Sequence, residues 1–337
     1  MKLQDYILRR LLLLIPVLIG VTFITFSLSH MTGDPAAAWI TDKTPPARYA
    51  IIAAQHHLND PLPMQYLYYV NDLLHLDLGL SASEGGRPVI EALKDYFPAT
   101  LELTVSAMIL TLLIGIPIGI ISAIKKDRIE DHLVRIFSLC GVSIPIFWFA
   151  LILQYVFYLQ LGWLPLGGRL SMLMSAPPRV TGLYTVDSLL AGQFDVFVQA
   201  VIHLILPSFC LAYTSLALIS RLTRSSMLEV MTQDYIRTAR AKGLSERAVV
   251  WKHALRNALI PTATMAGLAF GTLLTGAVLT ETIFMWPGIG RYSVRAISSN
   301  DFASIMGFTM IVVVVFVLMN LLVDILYAYL DPRVKYG

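Results

Sequence analysis

Residues 234–256, DYIRTARAKGLSERAVVWKHALR, carry six basic and two acidic side chains, a net charge of +4. Tyr235, Ile236 and Ala239 share one helical face, and Gly243 stops that helix. Ser245 can cap a second helix, with Glu246 in its first turn near the positive end. On that helix Ala248, Trp251, Leu255 and Leu259 recur at helical spacing. The pattern predicts two short amphipathic helices joined at an angle, slim at Ala239, Ala241 and Gly243, and fit to enter a groove on a partner. Arg237, Arg240 and Arg256 would make charged contacts there. The same residues fit a basic helix lying on a lipid surface, and the alternative stays open at this point. A second group borders or interrupts long uncharged stretches: Glu102, Glu281, Trp286, Arg291 and Asp324. Ionisable groups in such places line pathways or pair with one another; Glu281 can pair with Arg291, and His203 reads as a packed, hydrogen-bonded imidazole. Phe147-Trp148-Phe149 reads as bundle packing. No phosphate loop of the G-x-x-x-x-G-K-[ST] type, no H-E-x-x-H and no zinc-ligand spacing occurs, so no metal site or cofactor is expected in this chain.

The elements that must hold these residues are apolar helices. Of 337 residues 56% are hydrophobic and only 14% charged, against about 25% charged in soluble domains. Six windows lack Asp, Glu, Lys and Arg altogether: 11–33, 103–124, 136–168, 196–220, 257–280 and 302–323. Each is long enough to cross a bilayer core, which takes about 20 helical residues. The fold class expected is therefore all-α, a polytopic membrane protein of six transmembrane helices. Cys140 and Cys210 lie inside apolar windows and read as buried thiols. The first window is too long for the core of a cleaved leader and reads as a retained span.

Both termini, the 125–135 loop and the 221–256 loop would share one side, which then holds 17 of the 25 basic residues. Positive residues near span ends stay in the cytoplasm. The expectation is a multi-pass protein of the plasma (inner) membrane with both termini cytoplasmic. Residues 1–33 form the N-terminal tail and helix 1. Residues 34–97 form an external helical insertion, with turns at Asn59-Asp60-Pro61 and Glu84-Gly85-Gly86-Arg87-Pro88. Residues 98–330 form the core, with span 2 at about 98–124, span 3 at about 133–159 and spans 4 to 6 at about 197–222, 258–282 and 303–330. The 233–257 loop joins spans 4 and 5, and 331–337 is a cytoplasmic tail. Outside, 160–195 is a loop and 283–302 a short connection turning at Trp286-Pro287-Gly288, with the Trp at the membrane interface. Gly115-x-x-x-Gly119 and Gly267-x-x-x-Gly271 allow close helix approach.

Nearly the whole chain resembles the permeases of binding-protein-dependent ABC importers, in their peptide branch. The motifs are Leu8-Arg9-Arg10, Gly33-Asp34-Pro35, Leu76-Asp77-Leu78-Gly79, Pro98-Ala99-Thr100-Leu101-Glu102-Leu103 and Ser143-Ile144-Pro145-Ile146-Phe147-Trp148. Arg224-Ser225-Ser226-Met227-Leu228-Glu229-Val230, Arg237 to Gly243, Glu281 to Arg291 and Asp331-Pro332-Arg333 continue the match. The resemblance implies a subunit of an importer for dipeptides or oligopeptides. It would pair with a homologous second permease, two cytoplasmic subunits that bind ATP and Mg, and an extracytoplasmic solute-binding protein. Membrane lipid surrounds it and nucleic acid plays no part. Asp234, Arg237, Thr238, Ala239, Arg240, Ala241, Lys242, Gly243, Leu244 and Arg256 would couple to the ATPases. Glu102, Glu281, Trp286, Arg291 and Asp324 would belong to the pathway or its outer gate. The Ser299-Asn300-Asp301-Phe302-Ala303 stretch departs from the family pattern. Relatives of similar sequence carry oligosaccharides or nickel, and a proton-driven secondary transporter is a reading of a different class.

Overall fold

The computed structural model describes residues 3–32, 45, 51, 54 and 57–330, with side chains except at 3–11, 14, 29, 32, 275 and 323–330. The protein is mostly helical. In chain order come α1 (Leu3–Thr32), α2 (Leu62–Leu74), α3 (Val89–Ile124), α4 (Ile129–Ser143), α5 (Ile146–Leu153), α6 (Tyr184–Leu190), α7 (Phe194–Met231), α8 (Asp234–Ala241), α9 (Glu246–Ala248), α10 (Leu255–Ile283), α11 (Ile289–Ser298) and α12 (Phe302–Leu330). Alongside the helices, strands β1 (Leu80–Ser81) and β2 (Arg87–Pro88) form a two-residue antiparallel ladder. Its turn passes through Gly85 and Gly86, as the turn signal there implies.

Among the described residues four helices are long and apolar enough to cross a bilayer, with stretches at Val89–Ile124, Phe194–Met231, Glu246–Leu274 and Phe302–Leu322. A fifth crossing exists if α4 and the helix Ile146–Gln160 count as one, and Ile15–Leu28 within α1 is a shorter apolar stretch. Span 3 is broken next to Pro145, where its two halves bend by 112°. The residue before a proline is pushed out of the helical region. Ile144, before Pro145, is extended at ψ 125°, and its N–H closes α4 on the Cys140 carbonyl. The second half also widens into a π-helix over Gln154–Gln160.

Helix α3 starts nine residues before the expected span and runs through Pro98. A proline deprives the carbonyl four residues earlier of its helical partner. Here that carbonyl, Lys94 O, accepts from Arg179 Nη2 at 2.8 Å. Helices α3 and α7 pack closely at Gly119, where an added Cβ would stand 2.6 Å from Ser220 O and 2.7 Å from Thr223 Cβ. Gly115 faces the same helix, whereas Gly271 faces Phe316 of α12.

The elements that flank the long helices are fastened by polar contacts. Tyr66 of α2 meets Thr22 of α1 at 2.9 Å, its ring edge-on to Phe23 and Phe26. Asp301, buried ahead of α12, accepts from Ser81 Oγ (2.7 Å), Ser83 N (2.9 Å), Ser83 Oγ (2.8 Å), Ser304 Oγ (2.7 Å) and Ser304 N (3.1 Å). Burial pushes the Asp301 carboxyl up, but these donors outweigh it and hold it below the ordinary carboxylate value. The hairpin is thereby pinned to the top of α12. The 283–302 connection, expected to be a simple link, contains the ten residues of α11.

Candidate functional site

The α8–α9 elbow is built as its sequence dictates. Helix α8 ends at Ala241, and Gly243 follows with φ +77°, a left-handed conformation that glycine adopts without penalty. Ser245 then caps α9 through its hydroxyl, which accepts from Ala248 N at 3.4 Å. Arg240 reaches across the bend and grips Glu246 with two donors, at 2.7 and 3.3 Å. Asp234, Arg237, Thr238, Arg240, Ala241, Lys242, Gly243 and Leu244 are exposed, while Ala239 is buried underneath. Asp234 and Arg237 face each other at 3.4 Å on the open side.

The buried face of the second arm differs from the one expected. Trp251 is 54% exposed, whereas Val249, Val250, Ala254 and Ala258 are buried. Val249–Ala254 form a π-helix, so the spacing of 3.6 residues that selected Ala248, Trp251 and Leu255 does not hold there. The buried set packs with Ile236 and Ala239 of α8, Ile120 and Ala123 of α3 and Met227 of α7. Asn257 Nδ2 donates to Tyr235 Oη at 2.8 Å and ties α10 back to α8. The elbow is therefore a charged, exposed knuckle seated on the ends of three long helices.

A buried ionic cluster beside this seat escaped the sequence reading. Asp131, fully buried in the first turn of α4, accepts from Arg224 Nε at 2.7 Å and Nη2 at 2.8 Å. Ser122 Oγ (2.6 Å), Asp127 N (3.0 Å) and Arg135 Nη2 (3.1 Å) complete its shell. The available signal was Asp131 among the basic residues of the 125–135 loop, but nothing in the sequence pairs it with a residue 93 positions away.

At the opposite end of the bundle, three of the proposed gate residues are buried and internally bonded. Glu281 does not pair with the Arg291 guanidinium. Instead the N-terminus of α11 points at it: Arg291 N donates to Glu281 Oε2 at 3.0 Å, and Thr100 Oγ1 donates to Oε1 at 2.5 Å. A carboxylate suits that helix end because its free N–H groups carry partial positive charge. Thr100 Oγ1 in turn accepts from Ile289 N at 2.8 Å. The Arg291 guanidinium donates to Met285 O at 2.7 Å. Trp286 is buried inside the protein, its indole N–H donating to Ala99 O at 2.8 Å. Glu102 pairs with Arg169 and accepts from Thr185 N and Oγ1, both at 2.7 Å. The Arg169 guanidinium lies 3.5 Å over the Tyr184 ring and donates to Gly182 O at 2.9 Å. Asp187 organises that loop by accepting from Thr181 and Gly182; burial raises its carboxyl, but these bonds bring it below the ordinary value. His203 donates to the Gly167 and Gly168 carbonyls at 3.0 and 3.2 Å, the hydrogen-bonded role expected of it. The Asp324 side chain lies outside the described residues.

A groove of about 610 Å³ opens between α3, α10 and α12, lined by Met108, Leu112, Ile116, Ala263, Gly267, Phe270 and Met319. Its walls are apolar, and Arg256 also lines it. None of Glu102, Glu281, Trp286 and Arg291 borders this groove. Phe147 and Trp148 are half exposed rather than packed in this bundle, and only Phe149 stacks on a neighbour, Tyr213, at 4.4 Å. Cys140 is half-buried, Cys210 buried.

Residues 115–336 match the model of the binding-protein-dependent transport system inner membrane component family. The dipeptide transport system permease protein DppB of Alkalihalophilus pseudofirmus is 48% identical over 98% of this chain and 99% of its own. The probable D,D-dipeptide transport system permease protein DdpB of Escherichia coli K12 is 49% identical over 96% and 95%. The oligopeptide transport system permease protein AppB of Bacillus subtilis is 40% identical over 98% and 99%. A chain of the MetNI methionine ABC transporter, crystallised in inward-facing conformations, superposes with a TM-score of 0.50 at 18% identity, covering 69% of this chain and 93% of that one. That likeness concerns the fold. With the family matched over well more than half of its length and full-length relatives near half identity, the chain belongs to the binding-protein-dependent transport system inner membrane components.

Proposed function

We propose that this chain is one permease subunit of an ATP-driven importer for dipeptides and short oligopeptides, lying in the inner membrane with its elbow and both termini in the cytoplasm. The observation that carries the reading is the elbow itself: an exposed, charged knuckle with a left-handed glycine at its bend, rigidly seated on α3, α7 and α10. A partner ATPase that grips it moves three long helices at once. The names of relatives to which it is similar support peptides as cargo. The groove between α3, α10 and α12 is this chain's half of the pathway, completed by a homologous second permease. Substrate arrives at the other end from a soluble binding protein. Glu102 and Glu281 hold the outer loops and α11 in place and thereby set the shape of the outer gate.

ATP does its work through differential contact: the ATPase pair must bind the elbow differently in its two states, or no conformational shift results. The chain itself supplies position and stiffness, while ATP and Mg belong to the partners. Reconstitution tests this. Proteoliposomes holding both permeases, two ATPase subunits and the binding protein accumulate labelled dipeptide only with internal ATP, and still do so after the proton gradient is collapsed. Uphill uptake by this chain alone, or uptake that vanishes with the gradient while ATP is held constant, refutes the reading. Mass spectrometry of ligand co-purified with the cognate binding protein identifies the cargo; a sugar or a nickel complex there overturns the peptide assignment.

A further inference from the structure

The Asp131 cluster lies where force from the elbow must pass. Arg224 is one turn ahead of Met227 on α7, and Met227 packs in the same buried cluster as Ile236 and Ala239 of the elbow. On its other side Arg224 holds Asp131 with two N–H donors, one on each carboxylate oxygen. A fork of this kind resists rotation as well as separation, which a single point contact does not. The remaining bonds spread the hold: Ser122 Oγ brings in the end of α3, Asp127 N the connecting loop, and Arg135 the next turn of α4. Asp127 is itself left-handed, at φ +62°, and its N–H is aimed at the carboxylate. Helix α4 contributes no residue to the elbow's buried cluster and reaches it only through α3 and α7, against which it packs. Yet α4 is the first half of the bent span, so some element has to carry elbow motion to it.

We infer that the Asp131–Arg224 fork is a strut that couples the elbow to α4, making the adjoining ends of α3, α4 and α7 move as one body with α8 during transport. Both are positioning residues, acting through the helices they join. The inference rests on the proposed import function, because it requires an elbow that is pushed. It adds that the bent span follows the elbow instead of staying still while α7 slides past it. Lysine cannot replace Arg224 in this role, since a single ammonium lacks the planar pair of donors.

The test uses the complete assembly in nanodiscs, with spin labels on exposed positions and native cysteines replaced. Leu133 on α4, Thr232 just after α7 and Leu318 on α12 are all exposed. Between nucleotide-free and ATP-trapped states the Leu133–Thr232 distance should stay constant while Leu133–Leu318 changes. In Arg224→Lys and Asp131→Asn, ATPase subunits should co-purify at the normal ratio and hydrolyse ATP, but peptide moved per ATP should fall about tenfold. A wild-type Leu133–Thr232 distance that changes between states overturns the strut, and it does so whether or not the variants assemble. Assembled variants with unaltered peptide-to-ATP ratios overturn it too. A wild-type assembly that shows no ATP-driven uptake refutes the function reading, and the strut with it.

Discussion

Substitution at Gly243 separates two contributions that are usually confounded. Its φ of +77° costs an L-residue about 1–2 kcal/mol. A Cβ built there meets no heavy atom within 4 Å, so the side chain adds no clash inside this protein. Gly243→Ala and Gly243→Trp should therefore destabilise the subunit by the same backbone amount, agreeing within about 0.5 kcal/mol as expected for an exposed site. Their effects on assembly should diverge. An alanine methyl keeps the bend slim, whereas an indole fills the space a partner's groove has to occupy. Thermal unfolding of the detergent-purified permease measures the shared cost. Co-purification of the ATPase subunits and ATP-driven uptake measure the divergence. Ala should retain most assembly and transport, and Trp should lose both. If the Trp variant binds its ATPases and transports as the Ala variant does, the elbow does not enter a partner's groove. If the two differ widely in unfolding temperature, the open space around Gly243 has been misjudged.

Further outcomes follow from the buried polar contacts. Arg169→Met leaves the Glu102 carboxylate buried beside Thr185 without its cation, at a cost of about 3–5 kcal/mol; adding Glu102→Gln should restore part of the unfolding temperature, and an Arg169→Met protein as stable as wild type would refute the pairing. Asp301 titrates below its unfolded value of about 3.9, so its stabilisation is complete above that pH and disappears as the pH falls through the lower folded value. Pepsin cleavage of the 80–88 hairpin should accordingly rise with acidity in the native protein, while Asp301→Asn shows no such dependence. Gly119→Leu forces a side chain against Ser220 O and Thr223 and should cost at least about 1–3 kcal/mol by thermal unfolding, whereas Gly20→Ala, which meets nothing within 4 Å, should cost nothing from crowding.

Much of the elbow was legible because its signals are local. A glycine with a positive φ, a serine cap and a neighbouring run of charge act over a few residues, and their sequence order suffices. The apolar windows were legible for the same reason, since bilayer thickness is a length requirement. What failed depends on distance or on backbone irregularity. The face of the second elbow arm was misread because the π-turn breaks the helical period. The extra turns at the start of α3 were missed because Pro98 reads as the opening of a helix until Arg179, far along the chain, is seen to occupy the carbonyl it frees. Glu281 was matched to the Arg291 guanidinium because charge is visible in sequence; the backbone N–H groups that in fact hold it are carried by every residue and announce nothing. Asp131 and Arg224 meet only when α4 lies against α7.

The widened turn at Val249–Ala254 bears on how this segment tolerates changes of length. In a regular helix, removing one residue swings everything beyond it by about 100°. Here the coil already holds a surplus residue, so a single deletion inside it can be taken up by tightening to ordinary helical pitch, and α10 keeps its orientation. The same deletion in α8, which has no slack, would turn its charged side under and its apolar side outward. The junction is thus a built-in expansion joint, and tolerance of shortening should be confined to it.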